Sequence, residues 1–206
     1  MTAGEPRPVI FDFGGVLVDW NPRYLYRRLF PGDPDGMERF LAEVCTPEWN
    51  QRQDAGRPWA EAVAELVGRH PAQADLIRAY RERWEEMLGG PIDGSVAILG
   101  EVRAAGHQLL GLTNWSHETF PLARPRFRFF DWFDGIVVSG EERMIKPDPR
   151  LYVRLLERYR VDPARAVFID DSPHNVDAAI ALGIHGIHFR SPPELRDELT
   201  ALGLLG

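Results

Sequence analysis

The stretch Val-Ile-Phe-Asp-Phe-Gly-Gly-Val-Leu, residues 9–17, decides the fold of this chain. Its first three residues are apolar and predict a buried strand that delivers the carboxylate of Asp12 to the strand's carboxyl end. Gly14 and Gly15 then predict a turn in which the backbone and a ligand can approach each other closely. A carboxylate in that position can attack an electrophile or hold a metal ion. The stretch therefore predicts a reactive centre at the end of the first strand.

Four more apolar runs along the chain have the length of strands, and helical patterns separate the later ones. Three of these patterns are clear, because they place apolar residues on one stripe or end at a glycine. Alternating strands and helices predict an α/β fold with a doubly wound parallel sheet that is covered on both faces. The predicted strands are Val9–Phe13, Gln108–Leu112, Gly135–Val138, Ala166–Ile169 and Ile184–Phe189, and the clear helices are Gly94–Ala105, Pro149–Tyr159 and Pro173–Leu182.

A long insert separates the first two predicted strands. Residues 19–93 are far too many for a structureless connection inside a compact domain. Their apolar patterns are helical, and breaks rich in glycine and proline separate the patterns. We therefore predict a small helical cap domain at residues 19–93 that sits over the carboxyl edge of the sheet. Residues 1–18 and 94–206 then form the α/β core.

The composition disfavours several classes of function. The net charge of −7 argues against a nucleic-acid partner, because nucleic-acid binding usually needs a basic surface. No apolar run is long enough to cross a bilayer, and residues 1–8 lack the apolar centre of a signal peptide. The single cysteine, Cys45, allows no intrachain disulfide and fits a reducing compartment. We expect a cytoplasmic protein with neither a nucleic-acid nor a membrane partner.

Polar, chemically reactive side chains follow four of the predicted strands. In a parallel sheet the carboxyl ends of the strands share one edge, so these side chains should lie close together. They comprise a nucleophile, a hydroxyl with an amide, a cation, and a pair of carboxylates with a second amide one helical turn further on. In chain order these residues are Asp12, Thr113, Asn114, Lys146, Asp170, Asp171 and Asn175.

The order of these residues resembles the four sequence motifs of the haloacid dehalogenase superfamily. Residues 11–17 resemble the first motif, residues 112–114 the second, residues 146–147 the third, and residues 168–171 with Asn175 the fourth. The helical insert resembles the cap of the C1 subfamily, whose cap follows the first strand. The resemblance covers essentially the whole chain, and four motifs in the correct order make it specific.

The resemblance implies a Mg²⁺-dependent phosphomonoester hydrolase whose substrate is a small phosphorylated metabolite, with sugar phosphates as one candidate class. Asp12 would attack phosphorus and form an aspartyl-phosphate, which divides one difficult displacement into two easier ones. The implied metal ligands are the carboxylates of Asp12 and Asp171 and the backbone carbonyl of Gly14. A hard divalent cation suits oxygen ligands and offsets the repulsion between nucleophile and phosphate. Asp170 and Asn175 would orient the metal ligands and the lysine.

Five residues are implied in catalysis and substrate binding beside the nucleophile. Lys146 would offset charge on the phosphoryl oxygens as a compact cation. Thr113 and Asn114, with the backbone after Thr113, would form hydrogen bonds to the same oxygens. Trp20 and Trp115 directly follow turns that carry motifs, and they would either contact the substrate or pack in the core.

Gly14 departs from the pattern of the superfamily. Its phosphatases have an aspartate there that protonates the leaving group and later activates water. Glycine keeps the backbone carbonyl but loses the acid, and general acid–base help is worth about 10²–10⁴-fold in rate. Substrates with good leaving groups, such as anomeric sugar phosphates, would suffer least. Asp19 and His117 lie near the site in sequence and could replace the acid, although a role in the turn is favoured for Asp19.

Two other functions remain open at this point. In a 2-haloacid dehalogenase, Asp12 would attack carbon without a metal, but that branch usually has an aromatic residue where Gly14 stands, and the adjacent carboxylates at 170 and 171 favour a metal. A non-catalytic binding module is the second alternative, because the acid is missing. Purely structural roles are also open for these residues. The aspartates could stabilise turns or cap helices, and Lys146 could be a solvated side chain.

Overall fold

The structure is a computed structural model that describes residues 6–206. Its strands are β1 (Pro8–Phe11), β2 (Val18–Trp20), β3 (Leu88–Pro91), β4 (Gln108–Thr113), β5 (Gly135–Val138), β6 (Val167–Asp170) and β7 (His185–His188). Five of them form a parallel sheet in the order β5-β4-β1-β6-β7, and β2 pairs with β3 in a separate antiparallel ribbon. The predicted α/β fold with a parallel sheet is confirmed.

The central strand β1 is buried on both faces, which explains its unbroken apolar sequence. Val9, Ile10 and Phe11 are each at most 1% exposed. Because side chains alternate across a strand, Val9 and Phe11 belong to one hydrophobic cluster, while Ile10 joins Leu110 and Phe168 in another. The sheet thus holds the end of β1 deep in the molecule, between β4 and β6.

Helices cover the sheet and connect its strands. They are α1 (Arg23–Leu29), α2 (Pro34–Glu43), α3 (Pro47–Asp54), α4 (Trp59–Arg69), α5 (Ala74–Glu82), α6 (Asp93–Ala104), α7 (Phe120–Ala123), α8 (Ser139–Glu142), α9 (Pro149–Tyr159), α10 (Pro173–Ala181) and α11 (Pro192–Ala201). Short 3-10 helices occupy Pro71–Gln73, Trp84–Met87, Arg124–Arg126, Arg128–Trp132 and Pro163–Arg165. The three helices with clear sequence patterns are present as α6, α9 and α10. Helix α9 begins as its sequence indicates, because the side chain of Asp148 accepts a hydrogen bond from the backbone N–H of Arg150.

The insert between β1 and β4 contains α1–α5 and, at its two ends, the strands β2 and β3. Val18 pairs with Pro91 and Asp19 with Gly90 in this ribbon. The sequence analysis missed it, because a Gly-Gly-Pro stretch is typical of a break rather than of a strand. The division into a cap at residues 19–93 and a core at residues 1–18 and 94–206 stays a prediction, and residues 1–5 lie outside the described part of the chain.

Helices α3 and α4 of the insert are hydrogen bonded to the segments that follow two sheet strands. The indole N–H of Trp59 donates to Oγ of Ser116 at 3.0 Å, and its backbone N–H donates to Oε1 of Glu118 at 2.9 Å. The hydroxyl of Ser139 donates to the backbone carbonyl of Asp54 at 2.6 Å. Since Ser116 follows β4 and Ser139 follows β5, these helices lie at the carboxyl edge of the sheet.

Two expectations from composition can be compared with the structure. Within residues 6–206, every helix is too short or too polar to span a membrane. Cys45 is a buried free thiol, and burial raises its pKa to about 12. The thiol therefore stays protonated at neutral pH and packs as a small apolar side chain.

Candidate active site

The predicted site residues converge at the carboxyl edge of the sheet. Strands β4, β1 and β6 are neighbours, so Thr113, Asp12 and Asp170 stand side by side at their ends. The backbone N–H of Asp12 donates to the carbonyl of Ile169 at 2.9 Å and extends the pairing of β1 with β6 by one residue. All three residues are buried, with at most 7% exposure. The fold therefore places one polar group from each of three adjacent strands in a single buried site.

Lys146 connects the carboxylates of this site. Its Nζ lies 2.8 Å from Oδ1 of Asp12 and 2.6 Å from Oδ2 of Asp170. The third proton of the ammonium is donated to the carbonyl of Leu112 at 2.8 Å, so all three donors have acceptors. The side chain is fully buried, which excludes the alternative of a solvated lysine. A buried cation thus stands between the candidate nucleophile and the first aspartate of the pair that follows β6.

Asp170 is held from several directions. Its Oδ1 accepts hydrogen bonds from the backbone N–H of Ser172 at 2.8 Å and from Nδ2 of Asn175 at 3.0 Å. The same amide lies 3.1 Å from Oδ2, which also receives the ammonium of Lys146. Both carboxylate oxygens are therefore occupied by protein donors. The positions of Asp170 and Asn175 are therefore compatible with the predicted role of orienting Lys146 and the metal ligands.

Asn114 is bound to the main chain of Lys146. The backbone N–H of Lys146 donates to Oδ1 of Asn114 at 2.8 Å, and Nδ2 of Asn114 donates to the carbonyl of Lys146 at 3.0 Å. This double hydrogen bond fixes the segment that carries the lysine beside the end of β4. The amide therefore positions Lys146, a role that the sequence did not indicate.

Thr113 has a free hydroxyl in the described structure. Its side chain is 1% exposed, and its Oγ1 has no hydrogen-bond partner among the described residues. Buried hydroxyl groups are nearly always paired, so this atom is available for a bound ligand. A phosphoryl oxygen is an acceptor that would satisfy it.

Three carboxylates could hold a metal ion together. One oxygen from each of Asp12, Asp170 and Asp171 lies within 4.8 Å of the other two. These donors are all oxygen, the kind that hard cations such as Mg²⁺ prefer. Because both oxygens of Asp170 already receive hydrogen bonds, Asp12 and Asp171 are the members best able to bind the ion. The donor set therefore fits the metal that the sequence implies.

Burial and mutual repulsion shift the pKa values of these groups. Burial raises the pKa of Asp12 to about 7, although the charge of Lys146 opposes the shift. Burial and the charge of Asp170 raise the pKa of Asp171. Burial alone would lower the pKa of Lys146, but the charges of Asp12 and Asp170 outweigh it, so the net shift is upward. Excess negative charge of this kind favours a bound cation.

Gly15 determines where Asp171 can lie. Its φ of +75° belongs to the left-handed region, and a Cβ atom there would collide with the carboxylate of Asp171. Gly14 differs, because a Cβ atom on it would meet nothing within 4 Å. Gly14 therefore leaves open space in the site, and Gly15 allows the close approach of Asp171.

That open space belongs to a cavity of about 80 Å³, which we call the Gly14 cavity. Its lining residues are Gly14, Trp20, Asn50, Asp54, Trp84, Asn114, Trp115 and Thr119. The indole N–H groups of Trp20 and Trp115 are buried and lack hydrogen-bond partners within residues 6–206. Both predicted tryptophans thus line the cavity, and their contact with substrate stays a prediction.

Sequence reasoning missed Asn50 and Asp54, which reach the Gly14 cavity from α3 of the insert. Burial raises the pKa of Asp54 to about 8, against the opposing hydrogen bond from the backbone of Ser116. No motif surrounds these residues, so their place in the site depends on how α3 docks on the sheet edge. No sequence signal available from one chain could have found them.

The two residues that were considered as replacements for the missing acid lie elsewhere. Oδ2 of Asp19 accepts a hydrogen bond from the hydroxyl of Tyr24 at 2.5 Å, which agrees with a role in local structure. His117 lines a different cavity, together with Gly56 and Gly140. Neither residue lines the Gly14 cavity.

Sequence comparison identifies relatives over nearly the full chain. A family model for haloacid dehalogenase-like hydrolases matches residues 7–183. The chain is 39% identical over 187 residues to a phosphorylated carbohydrates phosphatase of Thermotoga maritima, and the match covers 87% of this chain and 83% of that protein. It is 38% identical over 216 residues to acyl-CoA dehydrogenase family member 10 of Mus musculus, where it covers 95% of this chain but spans only 19% of the mouse protein.

Structural comparison agrees at the level of the fold. A haloacid dehalogenase family enzyme from Bacteroides thetaiotaomicron, solved with magnesium and inorganic phosphate, has a TM-score of 0.67 at 22% identity and covers 90% of this chain and 95% of its own. The L-2-haloacid dehalogenase of Xanthobacter autotrophicus has a TM-score of 0.64 at 21% identity and covers 95% and 83%. Because the family model matches most of the sequence, this chain belongs to the haloacid dehalogenase-like hydrolases.

Proposed function

We propose that this hydrolase is a Mg²⁺-dependent phosphomonoesterase of the helical-cap C1 subfamily and that Asp12 forms an aspartyl-phosphate. The observation that carries the proposal is the position of Asp12, which is paired with buried Lys146 and lies in a cluster with two further aspartates. The adjacent strand ends at Thr113, whose hydroxyl has no partner in the described structure. Phosphoryl transfer requires positive charge and hydrogen-bond donors around an aligned nucleophile, and these groups supply them.

The reaction would proceed in two displacements. A carboxylate oxygen of Asp12 attacks phosphorus, the bond from phosphorus to the leaving oxygen breaks, and the phosphoryl group stays on Asp12. Water then attacks phosphorus, the bond to Asp12 breaks, and phosphate is released. Lys146 keeps its proton, because its pKa is raised, and its charge offsets the negative phosphoryl oxygens. The hydroxyl of Thr113 donates a hydrogen bond to one of these oxygens.

Asp12 and Asp171, with the backbone carbonyl of Gly14, would hold the magnesium ion. When bound, the ion supplies positive charge that offsets repulsion between the carboxylates and the phosphate. The raised pKa values of Asp12 and Asp171 support this assignment, because burial and, to a lesser extent, the neighbouring carboxylates disfavour negative charge that a bound cation would stabilise. The supporting residues Asp170 and Asn175 would keep the lysine and the ligands in place.

We propose a sugar phosphate as the substrate. The Gly14 cavity shares four lining residues with a larger space of about 740 Å³, which we call the outer groove and which is lined in part by Asn21, Arg23 and Gln51. Such side chains bind hydroxyl groups and anions. The Thermotoga maritima relative is named for phosphorylated carbohydrates. A cytoplasmic location and the lack of nucleic-acid and membrane partners remain predictions from composition.

Phosphate release from a panel of sugar phosphates, nucleotides and small acid phosphates tests the proposal. We expect Mg²⁺-dependent release by the unchanged protein and none by Asp12→Asn. Asp177→Asn is the matched control, because Asp177 is an exposed aspartate on α10 that takes no part in the carboxylate cluster. Equal phosphate release by the Asp12→Asn variant would remove Asp12 as the nucleophile and favour a non-catalytic binding module.

A 2-haloacid dehalogenase is the second candidate function, because enzymes of that activity share the fold and the same aspartate nucleophile would serve them. Such an enzyme would release chloride from 2-chloropropionate without a metal. The discriminating experiment measures chloride from 2-chloropropionate and phosphate from p-nitrophenyl phosphate, each with and without a chelator. Chloride release that persists in the chelator would replace the phosphatase proposal.

A further inference from the structure

The Gly14 cavity contains a carboxyl group that the superfamily motifs do not supply. Among the residues that line this cavity, Asp54 is the only one with an acidic side chain. It is the last residue of α3, and its backbone carbonyl accepts a hydrogen bond from the hydroxyl of Ser139, which follows β5. The end of this insert helix is thus fixed directly to the edge of the sheet that carries the site.

A hydrogen bond holds the side chain of Asp54 in place without a cationic partner. Nδ2 of Asn50, one turn earlier on α3, donates to its Oδ2 at 2.9 Å. Among residues 6–206, no charged group contributes to the shift of the pKa of this carboxyl group. Burial raises its pKa to about 8, so the group carries a proton at neutral pH. A protonated carboxyl of this kind is able to act as a general acid.

Asp54 also borders both of the spaces in which a bound substrate could lie. It lines both the Gly14 cavity and the outer groove, a property that it shares with Trp20, Asn50 and Asn114. Gly14, two residues after Asp12, connects this cavity to the nucleophile, so a substrate held at Asp12 would extend into the Gly14 cavity. In this arrangement the carboxyl of Asp54 would border the leaving oxygen.

We propose that Asp54 is the general acid and base of this enzyme and performs from the insert the role for which Gly14 has no side chain. The inference rests on the proposed function. As Asp12 attacks phosphorus and the bond to the leaving oxygen breaks, the carboxyl proton of Asp54 passes to that oxygen and an alcohol departs. The resulting carboxylate then accepts a proton from the water that attacks the aspartyl-phosphate, so phosphate leaves and Asp54 regains its proton.

The geometry accounts for the glycine as well. A Cβ atom at Gly14 would meet nothing within 4 Å, so the backbone at this position leaves space beside it. The space is available to the substrate and to the side chain from α3. Because this acid lies on the insert, its position depends on the docking of α3 at the sheet edge.

Asp54→Asn tests the inference with two substrates of similar size, phenyl phosphate and p-nitrophenyl phosphate. Phenolate is the poorer leaving group, so we expect kcat/KM for phenyl phosphate to fall about 10²–10⁴-fold and kcat/KM for p-nitrophenyl phosphate to fall much less. The ratio kcat/KM reports only the steps up to formation of the aspartyl-phosphate, so the hydrolysis step that both substrates share does not enter it. Glu43→Gln, which changes an exposed acid on α2 outside both cavities, is the control and should leave both rates unchanged. Equal losses for the two substrates, or no loss, would overturn the inference.

A pH profile and a rescue variant complete the test. Wild-type kcat/KM for phenyl phosphate should decline as the pH rises through about 8, and Asp54→Asn should lose this decline. Other titratable groups that line the outer groove could also affect the pH profile. They are Tyr80, Arg23, Glu38, Cys45 and Glu48. Tyr80 stays protonated throughout, because burial raises its pKa well above the ordinary value.

Gly14→Asp in the Asp54→Asn background should restore most of the rate on phenyl phosphate. The inference would be contradicted if Asp54→Asn kept the fall in rate above about pH 8. It would also be contradicted if the rescue variant lost as much rate on phenyl phosphate, relative to p-nitrophenyl phosphate, as Asp54→Asn does. Asp12→Asn separates the two claims. If Asp12→Asn abolishes phosphate release while Asp54→Asn behaves like the wild type, the phosphatase function is supported and the role of Asp54 as the acid is excluded.

Discussion

Lys146 and Asp12 form a buried ion pair in which Nζ lies 2.8 Å from Oδ1. The pair is asymmetric, because the same ammonium lies closer to Asp170, at 2.6 Å. Oδ1 of Asp12 also accepts the backbone N–H of Phe13 at 2.7 Å. Oδ1 of Asp12 therefore receives two protein donors, whereas the structure gives Oδ2 no hydrogen-bond partner among the described residues.

Replacement of Lys146 should be costly for stability. Lys146→Met leaves two buried carboxylates without their cation, and loss of one partner of a buried pair costs about 3–5 kcal/mol. Urea unfolding measures the change in the free energy of unfolding. Arg150→Met, which removes an exposed partner of Asp148, is the matched control and should change it little. A similar effect of the two substitutions would contradict the central role of Lys146.

Magnesium should stabilise the folded protein through Asp171. A ligand that binds only the native state raises the melting temperature, so Mg²⁺ should raise that of the wild type in a thermal melt. Asp171→Asn removes a candidate ligand and should abolish the response. The variant should also melt higher than the wild type in a chelator, because it removes a carboxylate that burial and Asp170 disfavour. Asp177→Asn should respond to Mg²⁺ as the wild type does; a response in Asp171→Asn of the same size would exclude Asp171 as a ligand.

The two glycines of the first turn should respond differently to alanine. Gly15→Ala places a side chain at a φ of +75° against the carboxylate of Asp171, and a strained backbone of this kind costs about 1–3 kcal/mol. Gly14→Ala meets open space and should change the free energy of unfolding much less. Urea unfolding compares the two variants, and equal effects would show that the turn does not constrain Asp171.

Asp54 should make stability depend on pH. Its pKa is about 8 in the folded protein and near 3.8 in the unfolded chain, so the folded state binds the proton more tightly. The contribution of this group is fully present below about pH 3.8 and is lost as the pH rises toward 8. The free energy of unfolding should therefore fall less between pH 5 and pH 8 in Asp54→Asn than in the wild type, in parallel urea titrations in a chelator. Identical slopes would show that the carboxyl is not protonated in the folded state.

Much of the sheet and its reactive edge could be predicted from the sequence. Apolar runs followed by Asp12, Thr113 and Asp170 indicated strands with reactive ends, and the strands lie within a residue or two of the predicted bounds. These features are local in the chain, since a short apolar run is enough to specify a buried strand. The common edge followed from the parallel arrangement alone.

Contacts between distant segments could not be predicted in the same way. The double hydrogen bond between Asn114 and the main chain of Lys146 requires two loops to meet, and neither loop indicates its partner. Asp54 enters the site because α3 docks through Ser139, and that docking depends on packing across the whole insert. The ribbon of β2 and β3 was missed because its Gly-Gly-Pro stretch has poor strand propensity and is stabilised by pairing.

The ammonium at the centre of the site has a consequence for chemical modification. Lys146 is the only lysine in the chain, and every other basic residue apart from histidine is one of the arginines. Its amine is fully buried, protonated and bound by three acceptors, so it is a poor nucleophile toward acylating reagents. The folded protein thus offers no accessible lysine amine to acetylation or amine-directed cross-linking, and acylation of a lysine side chain would report directly on opening of the active site.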